Sequence, residues 1–269
     1  MAKLKKKSVS ILLTILIILS LISLTMFSCT IRMAQNDASY IDMSEAHLLQ
    51  LESPTDDDPA MIVHTSVGEI TAVLYPEAAP NYVAQFTELA ENGYYNDTYV
   101  YQTEPGVYFR AGSPNEDGSL DDQLDESRQK VETELTADLW PFRGAFCAPV
   151  TERENNFLKM LFGNDAAYCG TRFLVCNSIV MDEETKEQLA ATNENAAEIV
   201  DTFLRWGGVP DCAQQMTIFA QAYGKESFAV IDTIANSTLS EEPIRIERIE
   251  ITNWGKTNGD SFVPENGIE

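Results

Sequence analysis

Three residues carry most of the chemistry this sequence can offer. In the stretch YVYQTEPGVYFRAGSP (residues 99–114), Gln102 and Arg110 flank a Pro105-Gly106 pair, and Arg172 recurs later in TRFLVC. A guanidinium presents five N–H donors, never loses its charge in a protein, and suits both carboxylate recognition and hydrogen bonding to a weak acceptor. Tyr101, Tyr108 and Phe109 surround Arg110 in sequence and add apolar contact. Other chemistries lack support. No GxSxG elbow places a nucleophile, and no GxGxxG or Walker run cradles a phosphate. His47 and His64 are the only histidines, and Cys147, Cys169, Cys176 and Cys212 form no CxxC pair, a poor metal-ligand set. Asp121-Asp122 and Asp125-Glu126 sit in a polar run and read as solvated charge without the spacing of a calcium loop. No cofactor is expected.

Strands must position these residues. MIVHTSVGEITAVLYPE predicts two strands around a Val67-Gly68 turn, with Ile62 and Val63, then Ile70, Ala72 and Leu74, supplying apolar positions. Glu77–Gly93 predicts a helix. Pro80 lies in its first turn, Val83, Phe86, Leu89 and Ala90 share one face, and Gly93 stops it. Pro141–Val150, Thr171–Ser178 and Met216–Ala222 predict further strands, and Ile244–Thr252 (IRIERIEIT) a last, alternating strand with one wet face. Asp182–Trp206 predicts a helix in two pieces with an Ile199, Val200, Phe203, Leu204 stripe, and Ser227–Ala235 a short one. Residues 115–138 read as an acidic loop and 151–170 as irregular. Many strands and few helices imply a mainly β, closed or nearly closed antiparallel barrel. A two-residue turn at Pro105-Gly106 pairs 102 with 109 and 101 with 110. That register puts Gln102 and Arg110 on opposite faces, and only a bulge or longer loop brings them together.

The bulk properties bound the setting. The chain has 269 residues, 44% of them hydrophobic, enough for one packed domain with extensions, and a formal charge of −24 that argues against a nucleic-acid partner. MAKLKKK followed by an apolar run from Ile11 to Phe27 reads as an export signal, ending at Cys29. Two outcomes stay open: lipidation of Cys29 after cleavage, or an uncleaved anchor helix. Either places the rest of the chain outside the cytoplasm, anchored to the membrane. Residues 1–29 form the anchor, 30–59 a tether with a short helix from Ser44, 60–253 the domain and 254–269 a tail. The four downstream cysteines are buried thiols or, in an oxidising compartment, up to two disulfides.

The order of segments resembles the cyclophilin-type peptidyl-prolyl isomerases from about Met61 to Thr252. GEITAVLYPEAAPNYVAQFTELAENGYYNDT is similar to that family's opening, and PGVYFRAGSP to its Pro-Gly-Phe-x-x-Gln-Gly-Gly-Asp-Pro segment. FRGAFCAPV, TRFLVC and MTIFAQAYGKESFAVIDTIANS resemble its remaining strands in order. The resemblance implies an eight-stranded antiparallel barrel capped by two helices, with 179–210 as a helical insertion. It implies rotation about X-Pro bonds, an apolar seat for the proline ring and an arginine donating to the prolyl nitrogen. The departures fall on the groove. Val100, Tyr101 and Gln102 occupy the Phe-His-Arg positions, so Gln102 replaces the catalytic arginine. Val107 stands for a pocket phenylalanine, Arg110 for a glutamine, Arg172 for another glutamine and Leu174 for a pocket wall. Ala148 keeps its identity, Cys147 replaces a methionine, and Asp211, Cys212 and Met216 take the tryptophan, leucine and histidine positions. Three readings follow. Gln102 and Arg110 have exchanged roles in a weak isomerase acting on proline-containing segments of exported proteins. Or the groove, with Tyr101, Val107, Tyr108, Ala148, Arg172, Leu174, Cys212 and Met216, binds extended proline-containing or acidic peptides without turnover. Or the arginines only pair with surface acids.

Overall fold

A computed structural model describes residues 46–119, 124, 130–154, 166–179, 187, 196–239 and 243–257. The anchor with Cys29, the tether up to residue 45, most of the acidic loop, the first half of the insertion and the tail from 258 lie outside the described residues. The unit formed by Ile41–Arg153 and Ala167–Glu269 holds the architecture below.

Eleven strands occur in the described residues: β1 (Pro59–Thr65), β2 (Gly68–Leu74), β3 (Thr98–Glu104), β4 (Tyr108–Ser113), β5 (Val131–Glu132), β6 (Ala145–Ala148), β7 (Val150–Arg153), β8 (Ala167–Cys169), β9 (Phe173–Cys176), β10 (Thr217–Ala222) and β11 (Arg245–Asn253). Eight of them close into an antiparallel barrel in the order β1-β11-β3-β4-β9-β6-β10-β2. Closure leaves none of these strands with an unpaired edge. The other three form a small sheet in the order β5-β8-β7, in a region the sequence marked as loop and irregular. Strands of two to four residues carry too little alternation to announce themselves.

Inward residues alternate with outward ones. Met61, Val63, Ile70, Ala72, Phe109, Ala111, Phe146, Phe173, Val175 and Phe219 fill the interior. Phe86, from helix α1 (Pro80–Glu91), stands at its centre, with ring centroids 4.9 Å from both Tyr95 and Phe219 and 6.0 Å from Phe173. No side chain of α1 caps its own N-terminus. Instead the Glu134 carboxylate accepts from the backbone N–H of Asn81 at 3.0 Å and of Tyr82 at 2.9 Å, a favourable partner for the positive end of the helix dipole. Two further helices are α2 (Ala197–Trp206) and α3 (Lys225–Ala235). Helix α3 packs on β2 and buries Ile231, Ile234 and Ala235, so α1 and α3 are the two caps.

The insertion helix α2 builds a satellite core with Leu48, Trp140 and Phe142, using Ile199, Val200, Phe203 and Trp206. Leu204, expected in that stripe, is exposed. Within the stretch expected to be tether, Leu48 and Gln50 are buried against the domain. The helix expected from Ser44 begins outside the described residues, and its described part holds only a short 3-10 turn at Leu49–Leu51. Gln50 is fully buried, accepts from the Trp140 N–H at 2.7 Å, and donates to the Trp140 carbonyl at 2.8 Å and to Gln221 Oε1 at 2.7 Å. At the other end Trp254, expected in the tail, is buried against Tyr223. The domain therefore starts ahead of Ala60 and ends after Asn253.

Candidate active site

The hairpin β3–β4 resolves the question of faces. Glu104 pairs with Tyr108, Thr103 with Phe109 and Gln102 with Arg110. The loop thus has three residues, Pro105 to Val107. The Val107 N–H reaches the Glu104 carbonyl at 2.8 Å, and Gly106 takes the positive φ of 74° that a Pro-Gly turn of this type requires. One extra residue in the loop shifts the register by one position from that of a two-residue turn. Gln102 and Arg110 therefore lie directly opposite each other on the outer face. Beyond them Val100 pairs with Ala111, which leaves Tyr101 as a bulge. The bulge turns Tyr101 and Gln102 outward together while Val100 stays in the core.

The loop is held from two sides. The Gly106 N–H donates to the Ala235 carbonyl at the end of α3, and the Asn177 N–H donates to the Val107 carbonyl at 2.8 Å. On the other flank of β4, Arg110 pairs with Leu174 and Tyr108 with Cys176 of β9. Strand β9 is anchored where it starts: the Tyr95 hydroxyl donates to the Thr171 carbonyl at 2.9 Å, and Tyr94 and Thr171 share a hydrogen bond at 3.0 Å.

Beside Arg110 lies an apolar floor. Cys147, Leu174 and Cys176 point away from the barrel interior into a second cluster, with Val107, Tyr108, Cys212 and Met216 half-buried around them. The Cys147 and Cys176 sulfurs are 3.7 Å apart, and all four described cysteines are thiols. Burial pushes the Cys212 thiol up to about 12, helped by Cys176 and Asp211 and opposed by the charge of Arg110, which puts Arg110 within electrostatic reach of this floor. Ala148 is not on this face. It alternates inward, is fully buried in the interior cluster, and pairs with Thr217. Its side chain is part of the core.

Arg110 rests over the Tyr108 ring at 5.6 Å, and its Nε is shielded from water without an acceptor. Arg172, just before β9, donates from Nη1 to the Gly118 carbonyl, and its Nε is likewise shielded and unmatched. Burial raises the Tyr101 phenol, while the charges of Arg172 and Arg110 pull it back. Both guanidiniums thus lie near Tyr101, Arg110 from β4 and Arg172 through Gly118. Gly118 has a φ of 75° and packs against the Tyr101 ring so closely that a Cβ there would overlap it. Among the described residues no carboxylate pairs with Arg110 or Arg172, whereas Arg143, Arg205 and Arg248 each hold one, at 2.6, 2.8 and 3.0 Å.

The face therefore unites Tyr101, Gln102, Val107, Tyr108, Arg110, Leu174, Cys212 and Met216, with Arg172 joined through Tyr101. Gly118 and Cys176 belong to it and were not singled out from sequence. Cys176 was legible in principle, two residues from Leu174 and so on the same side of a strand. Gly118 was not, because its role depends on a loop closing over a distant ring. His47 and His64 stand elsewhere, beside Glu52 and beside Glu69 and Glu250. Among the described residues no helix is long and apolar enough to cross a membrane, and no group of three His, Cys, Asp or Glu could hold a metal ion.

Comparison with known proteins assigns this architecture. Residues 60–256 match the family model described as cyclophilin type peptidyl-prolyl cis-trans isomerase. A bifunctional phosphatase/peptidyl-prolyl cis-trans isomerase of Streptococcus pyogenes is 25% identical over 212 residues, covering 77% of this chain but only 42% of that protein. A peptidyl-prolyl cis-trans isomerase of Staphylococcus saprophyticus is 25% identical over 197 residues, covering 71% of this chain and 90% of its own length. The barrel superposes on a Cryptosporidium parvum cyclophilin crystallised in the presence of the dipeptide Ala-Pro, with a TM-score of 0.50, 16% identity, and coverage of 72% of this chain and 99% of that one. At that identity the likeness speaks for the fold alone. With the barrel order, the hairpin and a match across most of the chain in agreement, the protein belongs to the cyclophilin-type peptidyl-prolyl cis-trans isomerase family.

Proposed function

We propose that the outer face around Arg110 binds X-Pro segments of polypeptides and accelerates their isomerisation weakly, with Arg110 supplying the cation that Gln102 cannot. The observation that supports this reading is the direct cross-strand pairing of Gln102 and Arg110 beside an apolar floor. Side chains opposite each other on a sheet lie about 4.5–5.5 Å apart at Cβ, so a long guanidinium started from β4 can reach a point above β3. The floor of Val107, Leu174, Cys212 and Met216 offers the proline ring its seat. Rotation about the amide faces a barrier of roughly 18–20 kcal/mol, set by resonance between nitrogen and carbonyl. A donor held at the prolyl nitrogen favours the twisted, pyramidal form and lowers that barrier without making or breaking a bond.

Turnover is expected to be weak for a structural reason. Arg110 starts from the neighbouring strand, stacked on Tyr108, and no carboxylate among the described residues holds it in place. A protease-free isomerisation assay on a proline tetrapeptide tests the reading. Arg110→Ala is expected to lower the residual turnover by at least about tenfold, less than the roughly hundredfold that one fully preorganised donor supplies. Turnover that survives Arg110→Ala undiminished sinks the role given to Arg110. The second reading, a binding module without turnover, draws on the exposure of Gln102.

The setting is proposed from the N-terminal segment. Lys3–Lys7, the apolar run to Phe27 and Cys29 support an extracytoplasmic, membrane-anchored protein whose clients are exported chains. Protease treatment of intact cells that leaves the domain uncut, then digests it after lysis, would refute that placement.

A further inference from the structure

We propose that this groove selects segments with an acidic residue beside the proline, and that it retains them instead of turning them over. The inference rests on the proposed function and names the substrate class of the same face. In a chain with 42 acidic and 18 basic residues, Arg143, Arg205 and Arg248 each hold a carboxylate, and Arg245 is satisfied by the Asp97 carbonyl and the Tyr99 hydroxyl. Arg110 and Arg172 have no carboxylate among the described residues, and they flank Tyr101: Arg110 lies across the strand pair beside it, and Arg172 bonds the Gly118 carbonyl behind its ring. Two positive charges lie beside Tyr101 with no carboxylate between them among the described residues. Each also carries an Nε–H that is cut off from water and has no acceptor. A buried, unmatched donor is a standing penalty. A small rotation of the guanidinium onto an arriving carboxylate relieves that penalty and forms a charge-assisted, side-on pair.

The rest of the site confines the choice. Arg172 is tied to the Gly118 carbonyl, and Gly118 in turn backs the Tyr101 ring, so Arg172 and Tyr101 form a fixed wall. Arg110 is tied to no backbone carbonyl; it stacks on Tyr108 and hydrogen-bonds the Tyr101 side chain, a contact between two side chains that can be exchanged. It is the movable partner. The apolar floor next to it seats one proline ring, so the carboxylate that meets Arg110 belongs to a residue adjacent to that proline.

Retention follows from using one group twice. A carboxylate on Arg110 occupies the guanidinium that otherwise faces the prolyl nitrogen. The neutral amide of Gln102 is then the remaining donor on that side. The ground state is stabilised and the transition state loses its cation, so binding tightens while turnover falls.

The test uses the full chain and two peptides that differ in one group, Glu-Pro against Gln-Pro in the same flanking sequence. Calorimetry gives affinity, and NMR exchange spectroscopy gives turnover of the bound peptide. The Glu peptide is expected to bind about tenfold tighter, the scale of one charge-assisted pair, and to isomerise more slowly once bound. Arg110→Gln is expected to bring the affinity ratio to about one, with Arg110→Lys intermediate because charge survives without the planar fork. Equal affinity of the two peptides for the unmodified protein overturns the inference while the groove reading stands, and this comparison needs no variant to fold. A preference that persists in Arg110→Gln overturns it as well. Binding of neither peptide overturns both. A phosphoserine-Pro peptide binding far tighter than the Glu peptide would reassign the site from carboxylate to phosphate and overturn the class named here.

Discussion

Replacing Gln50 by alanine is expected to destabilise the domain by about 2–4 kcal/mol. The side chain is fully buried and its amide makes three hydrogen bonds of 2.7–2.8 Å, one accepted from the Trp140 N–H and two donated, to the Trp140 carbonyl and to Gln221 Oε1. Truncation leaves the Trp140 N–H and Gln221 Oε1 without those partners, while the Trp140 carbonyl keeps the Phe142 N–H at 2.7 Å, and each orphaned atom costs about 1–3 kcal/mol when it stays dry. The upper sum is not reached, because the space vacated by an amide side chain is polar and can take one water that restores part of this bonding. Gln221 also keeps its place through its own amide, which donates to the Arg143 and Ala222 carbonyls at 2.7 and 3.0 Å. The expected loss is a large part of the roughly 5–15 kcal/mol that holds a domain folded. At about 2–4 °C per kcal/mol for a domain of this size, it lowers the melting point by roughly 5–15 °C. Urea unfolding followed by circular dichroism should show a lower midpoint at unchanged slope. Gln50→Leu should be worse than Gln50→Ala, since it also excludes the rescuing water. A loss under about 1 kcal/mol for Gln50→Ala would refute the reasoning and leave the apolar contacts of Leu48 as what holds the strap. A chain begun at Ala60, where the family match begins, is expected to be less stable than the longer chain for the same reason.

Two further outcomes concern the site. Gly118→Ala places a methyl against the Tyr101 ring at a backbone φ of 75°, and should weaken Glu-Pro peptide binding severalfold with only a small fall in melting point; unchanged affinity would separate Tyr101 from recognition. Cys212 is the one described cysteine that is not fully buried, yet its thiol is pushed up to about 12, so at pH 8 only about one molecule in ten thousand carries the reactive thiolate. Iodoacetamide should label it in the native protein at least a hundredfold more slowly than after unfolding, with a rate rising about tenfold per pH unit; labelling at the unfolded rate, read by mass spectrometry, would contradict the burial of this residue.

The barrel was legible because its strands repeat a short rule. IRIERIEIT shows it, including the fault: Glu247 and Arg248 are adjacent polar residues, and both are exposed between buried Ile246 and Ile249. The alternation slips there, where the register of β1 against β11 shifts between His64 and Thr65. The burial of Gln50 is not legible in the sequence, because a polar side chain signals solvent unless its partners are known. Those partners lie 90 and 171 positions away. The residues of the site were named from sequence, but their faces were not. Whether Pro105-Gly106 closes a two- or a three-residue loop depends on the contacts of Gly106 with Ala235 and of Val107 with Asn177, long-range constraints that no local pattern carries.

The cross-strand partnership of Gln102 and Arg110 bears on how such a face can change over time. Two positions that share a rung are equivalent addresses for a long side chain. A cation can move from one to the other through two substitutions, with the scaffold, the floor and the loop left untouched. Both intermediates keep the backbone pairing, and the one with two glutamines also avoids the like-charge repulsion that two facing arginines would bring. Lineages can therefore drift between these arrangements while any test that reads a single strand reports a loss. The inheritable unit is the rung, and a search for relatives of this protein with intact chemistry should score both of its ends together.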